Sequence, residues 1–363
     1  MEMVVLNKWN NEMRVNLKRK NTAVNYNSGI IDFMNYVNID AENDREVIEI
    51  IDRDIIVGYK THLFDNGKKL STINARLSAL KGYFEFAKKE NIINSNPVDD
   101  VDIYNRKQID KNTKKKEILT EKELKKIFVN SYVRIKGEKK FEFSSARDRF
   151  LLAIMTETGG RISEYLESKL YDLEEINNKL SDNEIKKVKL LENMTIENGC
   201  TESECQNALT LINSIKNKSK EGYMLVINGD RVKNSLDKRF PITGKVLKYY
   251  NEYMDIREEL GIKSDYLIVS DSGNPLAGKD VNKIIKKACK KAEIDKHITN
   301  HSFRYIADML MKKHGVDKDI INDILGWVGK GYDMQNHYGM YYDKSNDDKK
   351  IIKACSFIDN ILV

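Results

Sequence analysis

Three prolines in 363 residues, at positions 97, 241 and 275, constrain this chain more than any other feature. Proline fixes φ and removes an amide donor, so it interrupts helices. A chain this poor in it can run helices for most of its length, and each of the three stands in or beside a turn-like stretch. Ahead of the first of them apolar residues recur at helical spacing. Tyr26, Ile30, Phe33 and Val37 fit one face of a helix over 22–36. Ile73, Leu77, Leu80, Phe84 and Ala87 do the same over 71–89, with Ser71-Thr72 as candidate N-cap. Asn96-Pro97 then stops the helix. Residues 1 to about 100 therefore read as a small all-helical domain.

Residues 98–117, VDDVDIYNRKQIDKNTKKKE, are polar and aperiodic, which makes 101–117 a linker. Lys111, Lys114, Lys115 and Lys116 form a basic cluster in it, read either as a solvated linker or as a segment that tracks a phosphate backbone. Thr120 with Glu123 three residues on is a capping box that opens a second domain, 118–363. Strand-like runs at 223–229, 239–243 and 265–270 interrupt its helices. The expected class is mainly α: an all-helical domain, then a mixed α+β domain with a small sheet.

Charge narrows the function only weakly. The 62 basic and 56 acidic residues leave a net +6, which permits a nucleic-acid partner without requiring one. No apolar run reaches membrane-spanning length, and the N-terminus lacks the apolar core of a signal peptide. Cys200, Cys205, Cys289 and Cys355 are scattered, without a second close pair to complete a zinc site. The expectation is an intracellular, cytoplasmic protein with free thiols and no metal, a Cys200–Cys205 disulfide staying open.

Three segments carry chemistry. In TETGGRISEYLESKL, 156–170, Gly159-Gly160 breaks an apolar helix and Arg161 opens the next with Glu164 at i+3. A double glycine permits close backbone approach, and the arginine fork can reach outward or simply pair with Glu164. In ITNHSFRYIADMLMKKHG, 298–315, His301 and Arg304 share one helix face with no acidic neighbour in sequence. In ILGWVGKGYDMQNHYGMYYD, 324–343, a helix ends at Gly326, Trp327 follows, and four tyrosines lie beyond.

Taken in order, TGGRISE, a strand–turn–strand with lysines, HSFR, LGW and then a tyrosine resemble the tyrosine recombinase (phage integrase) family. LSTINARLSALKGYFEFAKKENIINSNP is similar to the end of that family's core-binding domain, ILTEKELKKI to the start of its catalytic domain, and YLIVSDSGNPLAGKDVNKIIKKACKKAEI to the lead-in to its H-x-x-R helix. The resemblance implies a site-specific recombinase that cuts and rejoins double-stranded DNA through a covalent 3′-phosphotyrosine. It would work as a tetramer on specific sites, nucleoid-associated, without metal, ATP or other cofactor. An integrase of a mobile element or virus, or a chromosome-dimer resolvase, fits best. A type IB topoisomerase and a catalytically silent DNA-binding protein are the rival readings.

The resemblance also implies roles. Arg161 and Arg304 would clamp the scissile phosphate, since guanidinium geometry fits phosphate oxygens. His301 would assist proton movement at the attacking tyrosine. Trp327 stands where most members carry a second histidine; its indole N–H can donate to a phosphate oxygen but shuttles no proton. Glu164 would orient its neighbours. Counting back from Pro241 places Lys233 at the family's lysine, the general acid for the 5′-oxygen, with Lys238 as the alternative because the usual Gly-Lys-Gly is missing. At the usual distance from Trp327 this chain has Asn336; Tyr338, just beyond, is the expected nucleophile, ahead of Tyr341 and Tyr342 and then Tyr332. The stretch from about 174 to 220 exceeds what the family needs and reads as an inserted helical segment, either an inert surface addition or a contact to DNA or another protomer. The tail, about 344–363, carries an apolar stripe (Ile351, Ile352, Cys355, Ile358, Leu362) expected to seat on a neighbouring protomer in the assembled complex.

Overall fold

The computed structural model describes residues 2–16, 20–38, 42–111, 117–131, 138–177, 182–194, 198–231, 237–327 and 344–363. The chain divides into two units, Met1–Lys115 and Lys116–Val363. Helices α1 (Val4–Asn16), α2 (Lys20–Val37), α3 (Asp44–Ile50), α4 (Arg53–Asp65), α5 (Leu70–Lys89) and α6 (Arg106–Lys111) make up the first. The helical stripes are its core: Ile30, Phe33, Ile73, Leu77, Leu80, Phe84 and Ala87 are fully buried, with Tyr59, Tyr83 and Trp9 packed among them. Asp44, buried on α3, accepts the Val5 and Leu6 amides at 2.9 and 2.8 Å and the Tyr83 hydroxyl at 2.7 Å. One carboxylate thereby caps α1 and ties it to α5. Ser71 and Thr72 do not cap α5. Burial of Leu70 draws the helix start earlier, and Lys69 becomes the N-cap without a side-chain bond.

The second unit opens as its capping box requires: Glu123 accepts the Thr120 amide at 2.8 Å and the Thr120 hydroxyl accepts the Glu123 amide at 3.3 Å, starting α7 (Glu121–Ser131). Then come α8 (Lys139–Thr158), α9 (Ile162–Leu166), a 3-10 turn (Leu170–Asp172) and β1 (Leu173–Asn177). Next are α10 (Asp182–Glu192), α11 (Glu202–Ser219), β2 (Lys220–Ile227), β3 (Lys238–Thr243) and α12 (Gly244–Glu259). The chain continues through α13 (Gly278–Lys291), α14 (Asn300–Lys313), α15 (Lys318–Leu325), α16 (Lys344–Cys355) and a 3-10 turn (Ser356–Asn360). Helix α8 runs through the core, buried on every side over 150–158, with Phe143, Phe150, Leu151 and Ile154 among its apolar residues. Beside it lies an antiparallel sheet of order β1-β2-β3, in which Leu225 faces Phe240 and Met224 faces Pro241. Pro241 is tolerated because β3 is an edge strand.

Two sequence expectations change here. The run 265–270 forms isolated bridges to Lys169 and Pro275 rather than a strand of the sheet: the Arg257 guanidinium takes the Tyr266 carbonyl at 2.9 Å, and the Tyr253 hydroxyl bonds the Leu267 carbonyl and the Val269 amide, so side chains of α12 occupy several of its backbone groups. The third strand is β1, whose charged, half-exposed sequence LEEIN hides the pattern. The 174–220 stretch leaves from β1 and returns to β2 as a helical hairpin, α10 and α11 meeting at Val188, Leu191 and Ile212; Cys200 and Cys205 are free thiols. The tail stripe is buried on the chain's own core: Cys355, Ile358 and Leu362 join it. There Arg239 pairs with Asp348 at 2.6 Å, the Lys245 amide donates to Asp359 at 2.7 Å, and Tyr249 donates to the Val363 carbonyl at 2.6 Å. Among the described residues, no helix is long and apolar enough to cross a membrane.

Candidate active site

The site grows from the end of α8. Gly159 closes that helix at φ 59°, ψ 24°, left-handed geometry that favours glycine. A Cβ there would fall 2.7 Å from Ala307 and 2.8 Å from Leu325, so the residue's smallness lets α14 and α15 press against the turn. The Tyr165 hydroxyl accepts the Gly160 amide at 2.6 Å and pairs with Thr158 at 2.7 Å, pinning the turn from the other side. Burial pushes this phenol's pKa well above its usual range. Arg161 then becomes the N-cap of α9. Glu164 accepts its amide at 2.7 Å and its guanidinium at 3.0 Å. The ordinary helix-start salt bridge is therefore present, with the Arg161 side chain still 31% exposed.

Helix α14 brings the second arginine. His301 is exposed in its first turn, its ring edge-on to Tyr305 at 5.1 Å. Arg304, one turn on, is 5% exposed. Its guanidinium donates to the Gly159 carbonyl at 3.1 Å and to the Leu325 carbonyl. Two neutral acceptors thus hold the cation in place and leave its charge uncancelled. Burial lowers its pKa from 12.5, and the nearby positive charge of Arg161 lowers it further. Gly326, at φ 62°, ends α15 and turns the Trp327 ring to within 5.6 Å of the Arg304 guanidinium.

A lysine completes the group. Lys238 heads β3 with its ammonium 2.8 Å from one Glu164 oxygen, 2.9 Å from the other and 3.3 Å from the Leu325 carbonyl. It is almost wholly buried, so it cannot reach a phosphate from outside. The sequence reading weighed it only as an alternative acid. Its burial was readable from strand phase, because Lys238, Phe240 and Ile242 share one face and the last two are apolar. The cluster holds three cations, Arg161, Lys238 and Arg304, and one carboxylate, Glu164. Such a surplus of positive charge in a half-closed corner suits an anion.

The structure therefore brings Arg161, Glu164, Arg304 and Trp327 together, with His301 one turn away. Lys233, Tyr332, Tyr338, Tyr341 and Tyr342 lie outside the described residues, as do Lys114, Lys115 and Lys116; Lys111 ends α6. Among the described residues no three His, Cys, Asp or Glu side chains gather as a metal cluster would need.

Known proteins resemble this chain in sequence and in fold. The phage integrase family matches residues 203–341, and the phage integrase N-terminal SAM-like domain matches residues 6–91. Tyrosine recombinase XerC of Listeria welshimeri is 21% identical over 311 residues, covering 84% of this chain and 83% of its own. Tyrosine recombinase XerD of Oceanobacillus iheyensis is 24% identical over 307 residues, with the same coverage. Among solved structures, a lambda integrase tetramer bound to a Holliday junction superposes with a TM-score of 0.58 at 17% identity, over 93% of this chain and 78% of that one. Matches to both units, similarity spanning most of the chain and a shared fold lead to one statement: the chain belongs to the tyrosine recombinase (phage integrase) family.

Proposed function

We propose that this protein is a site-specific DNA recombinase that cleaves and rejoins strands through a covalent 3′-phosphotyrosine. The observation that carries the reading is the pairing of Arg161 and Arg304 in one corner with a single carboxylate, Glu164, between three cations. A scissile phosphate would supply the missing anion. As the Tyr338 oxygen attacks phosphorus, the phosphorus–oxygen bond to the tyrosine forms and the bond to the 5′-oxygen breaks. The charge crowding onto the non-bridging oxygens would be met by the two guanidinium groups and the Trp327 N–H. The phenol proton would leave by way of His301, and Lys233 would protonate the departing 5′-oxygen. Energy of the broken bond stays in the phosphotyrosine, so religation needs no nucleotide.

The partner would be double-stranded DNA with specific sites, bound by a homotetramer, and Lys111, Lys114, Lys115 and Lys116 would follow the phosphate backbone. Work on DNA would keep the protein inside the cell, in association with the nucleoid; an integrase of a mobile element or virus fits best. The test is capture of a protein–DNA adduct from a nicked suicide substrate on a denaturing gel, comparing wild type with Tyr338→Phe. The wild type should give an adduct that the variant lacks while both bind DNA alike. Adduct from the variant would remove Tyr338 from the role, and none from either protein on its own site would remove the enzyme.

A further inference from the structure

We infer that Lys238 is a positioning residue for strand cleavage, its buried ammonium joining the helix start that carries Arg161 to the corner that carries Arg304 and Trp327. The inference rests on the recombinase reading above. Lys238 touches a partner of each arginine. Its 2.8 and 2.9 Å bonds go to the Glu164 carboxylate, which also holds the Arg161 amide and guanidinium. Its 3.3 Å bond goes to the Leu325 carbonyl, which Arg304 also reaches and which lies two residues before Trp327.

Stability alone does not account for a lysine here. The side chain is 1% exposed, in phase with Phe240 and Ile242, and an apolar pair in place of Lys238 and Glu164 would pack there without the desolvation of two charges. The site does account for it. With both oxygens of Glu164 engaged by the ammonium, the carboxylate draws less on the Arg161 guanidinium, which keeps donors for a phosphate. With Leu325 held from a second direction, the carbonyl that orients Arg304 has a fixed place. Without the ammonium, Glu164 would turn fully on Arg161 and neutralise one half of the clamp.

The surroundings also make this tie proton-dependent. The charged groups facing Lys238 are Glu164 of α9, which favours its charged form, and Arg161 and Arg304, which oppose it. Burial is the largest influence and depresses its pKa from 10.5 to about 8. Raising the pH through that value would release the tie while leaving both guanidinium groups charged.

The experiment measures single-turnover adduct formation on the suicide substrate between pH 6.5 and 9.5 (assay range set by the pKa of about 8) for wild type, Lys238→Met and Lys238→Arg. Lys238→Met should melt lower than wild type, because buried Glu164 loses a partner, yet at a temperature where it is fully folded it should bind DNA as tightly and form adduct roughly 10- to 100-fold more slowly, the loss expected of a misplaced reacting geometry. The wild-type rate should carry a falling component above about pH 8. Both variants should lack it, Lys238→Met because nothing titrates there and Lys238→Arg because its charge persists. A wild-type rate in Lys238→Met overturns the inference, as does a loss of rate matched by an equal loss of DNA affinity. If Lys238→Met does not fold, the alkaline component decides alone, and its survival in Lys238→Arg overturns the inference. Failure of the wild type to form any adduct sinks the recombinase reading instead, a separate outcome.

Discussion

Replacing Gly159 by alanine tests how closely the two arginine-bearing segments are fitted. The added Cβ would lie 2.7 Å from Ala307 and 2.8 Å from Leu325, with the Arg304 Cα at 3.4 Å. These neighbours are core atoms on α14 and α15, so relief requires moving the helix that carries His301 and Arg304. Left-handed backbone with a Cβ costs about 1–2 kcal/mol, and overpacking a filled core adds roughly 1–3 kcal/mol. The total, about 2–5 kcal/mol, lowers melting by roughly 5–15 °C in a unit of this size. Gly315 is the matched control: its φ is 72°, and a Cβ there meets nothing within 4 Å. Gly315→Ala should bear the backbone cost alone and leave adduct formation intact. Gly159→Ala should cut the rate about 100-fold, as a displacement near 1 Å in a reacting constellation does. Thermal melting with single-turnover adduct formation reads both. Equal melting and equal rates for the two alanine variants would refute the close fit of α8 against α14 and α15.

Two further predictions concern buried carboxyl groups. Glu157 is 1% exposed, its Oε2 has no hydrogen-bond partner among the described residues, and burial with Asp359 nearby raises its pKa well above 4.5. The folded chain thus keeps a proton that the unfolded chain releases, and stability falls by up to about 1.4 kcal/mol per pH unit above the unfolded value. Glu157→Gln should melt like wild type near pH 4.5 and progressively higher than wild type toward pH 8; a gap that stays constant with pH refutes this. In the first unit, Asp44→Ala removes the acceptor of two amides and the Tyr83 hydroxyl. It should destabilise that unit by about 2–4 kcal/mol, read by urea titration, because buried donors are left unpaired.

Much of the site was legible because its chemistry is local. Gly159-Gly160-Arg161 announces a helix stop and start within three residues, and His301 with Arg304 needs only helical spacing to share a face. The groups that hold Arg304 were not legible. They are the carbonyls of Gly159 and Leu325, and backbone oxygens have no residue identity; only packing of α8, α14 and α15 brings them to the guanidinium. Lys238 was weighed as an acid that reaches the DNA, whereas strand phase puts its side chain on the buried face of β3. The run 265–270 looks like a strand by composition, but its backbone is shared between isolated bridges to Lys169 and Pro275 and the side chains of Arg257 and Tyr253 in α12. In the first unit the helical stripes matched the buried residues except Tyr26 and Val37, which are half-buried at the edge of the core, since amphipathic helices encode their own buried face.

The hairpin of α10 and α11 departs at Asn177 and comes back at Lys220, backbone neighbours across the same ladder. Its two ends are already one strand spacing apart, about 5 Å, so a tight turn could splice β1 directly to β2. Evolution or an engineer could lengthen, shorten or exchange this excursion as a cassette, with the chemistry below left untouched.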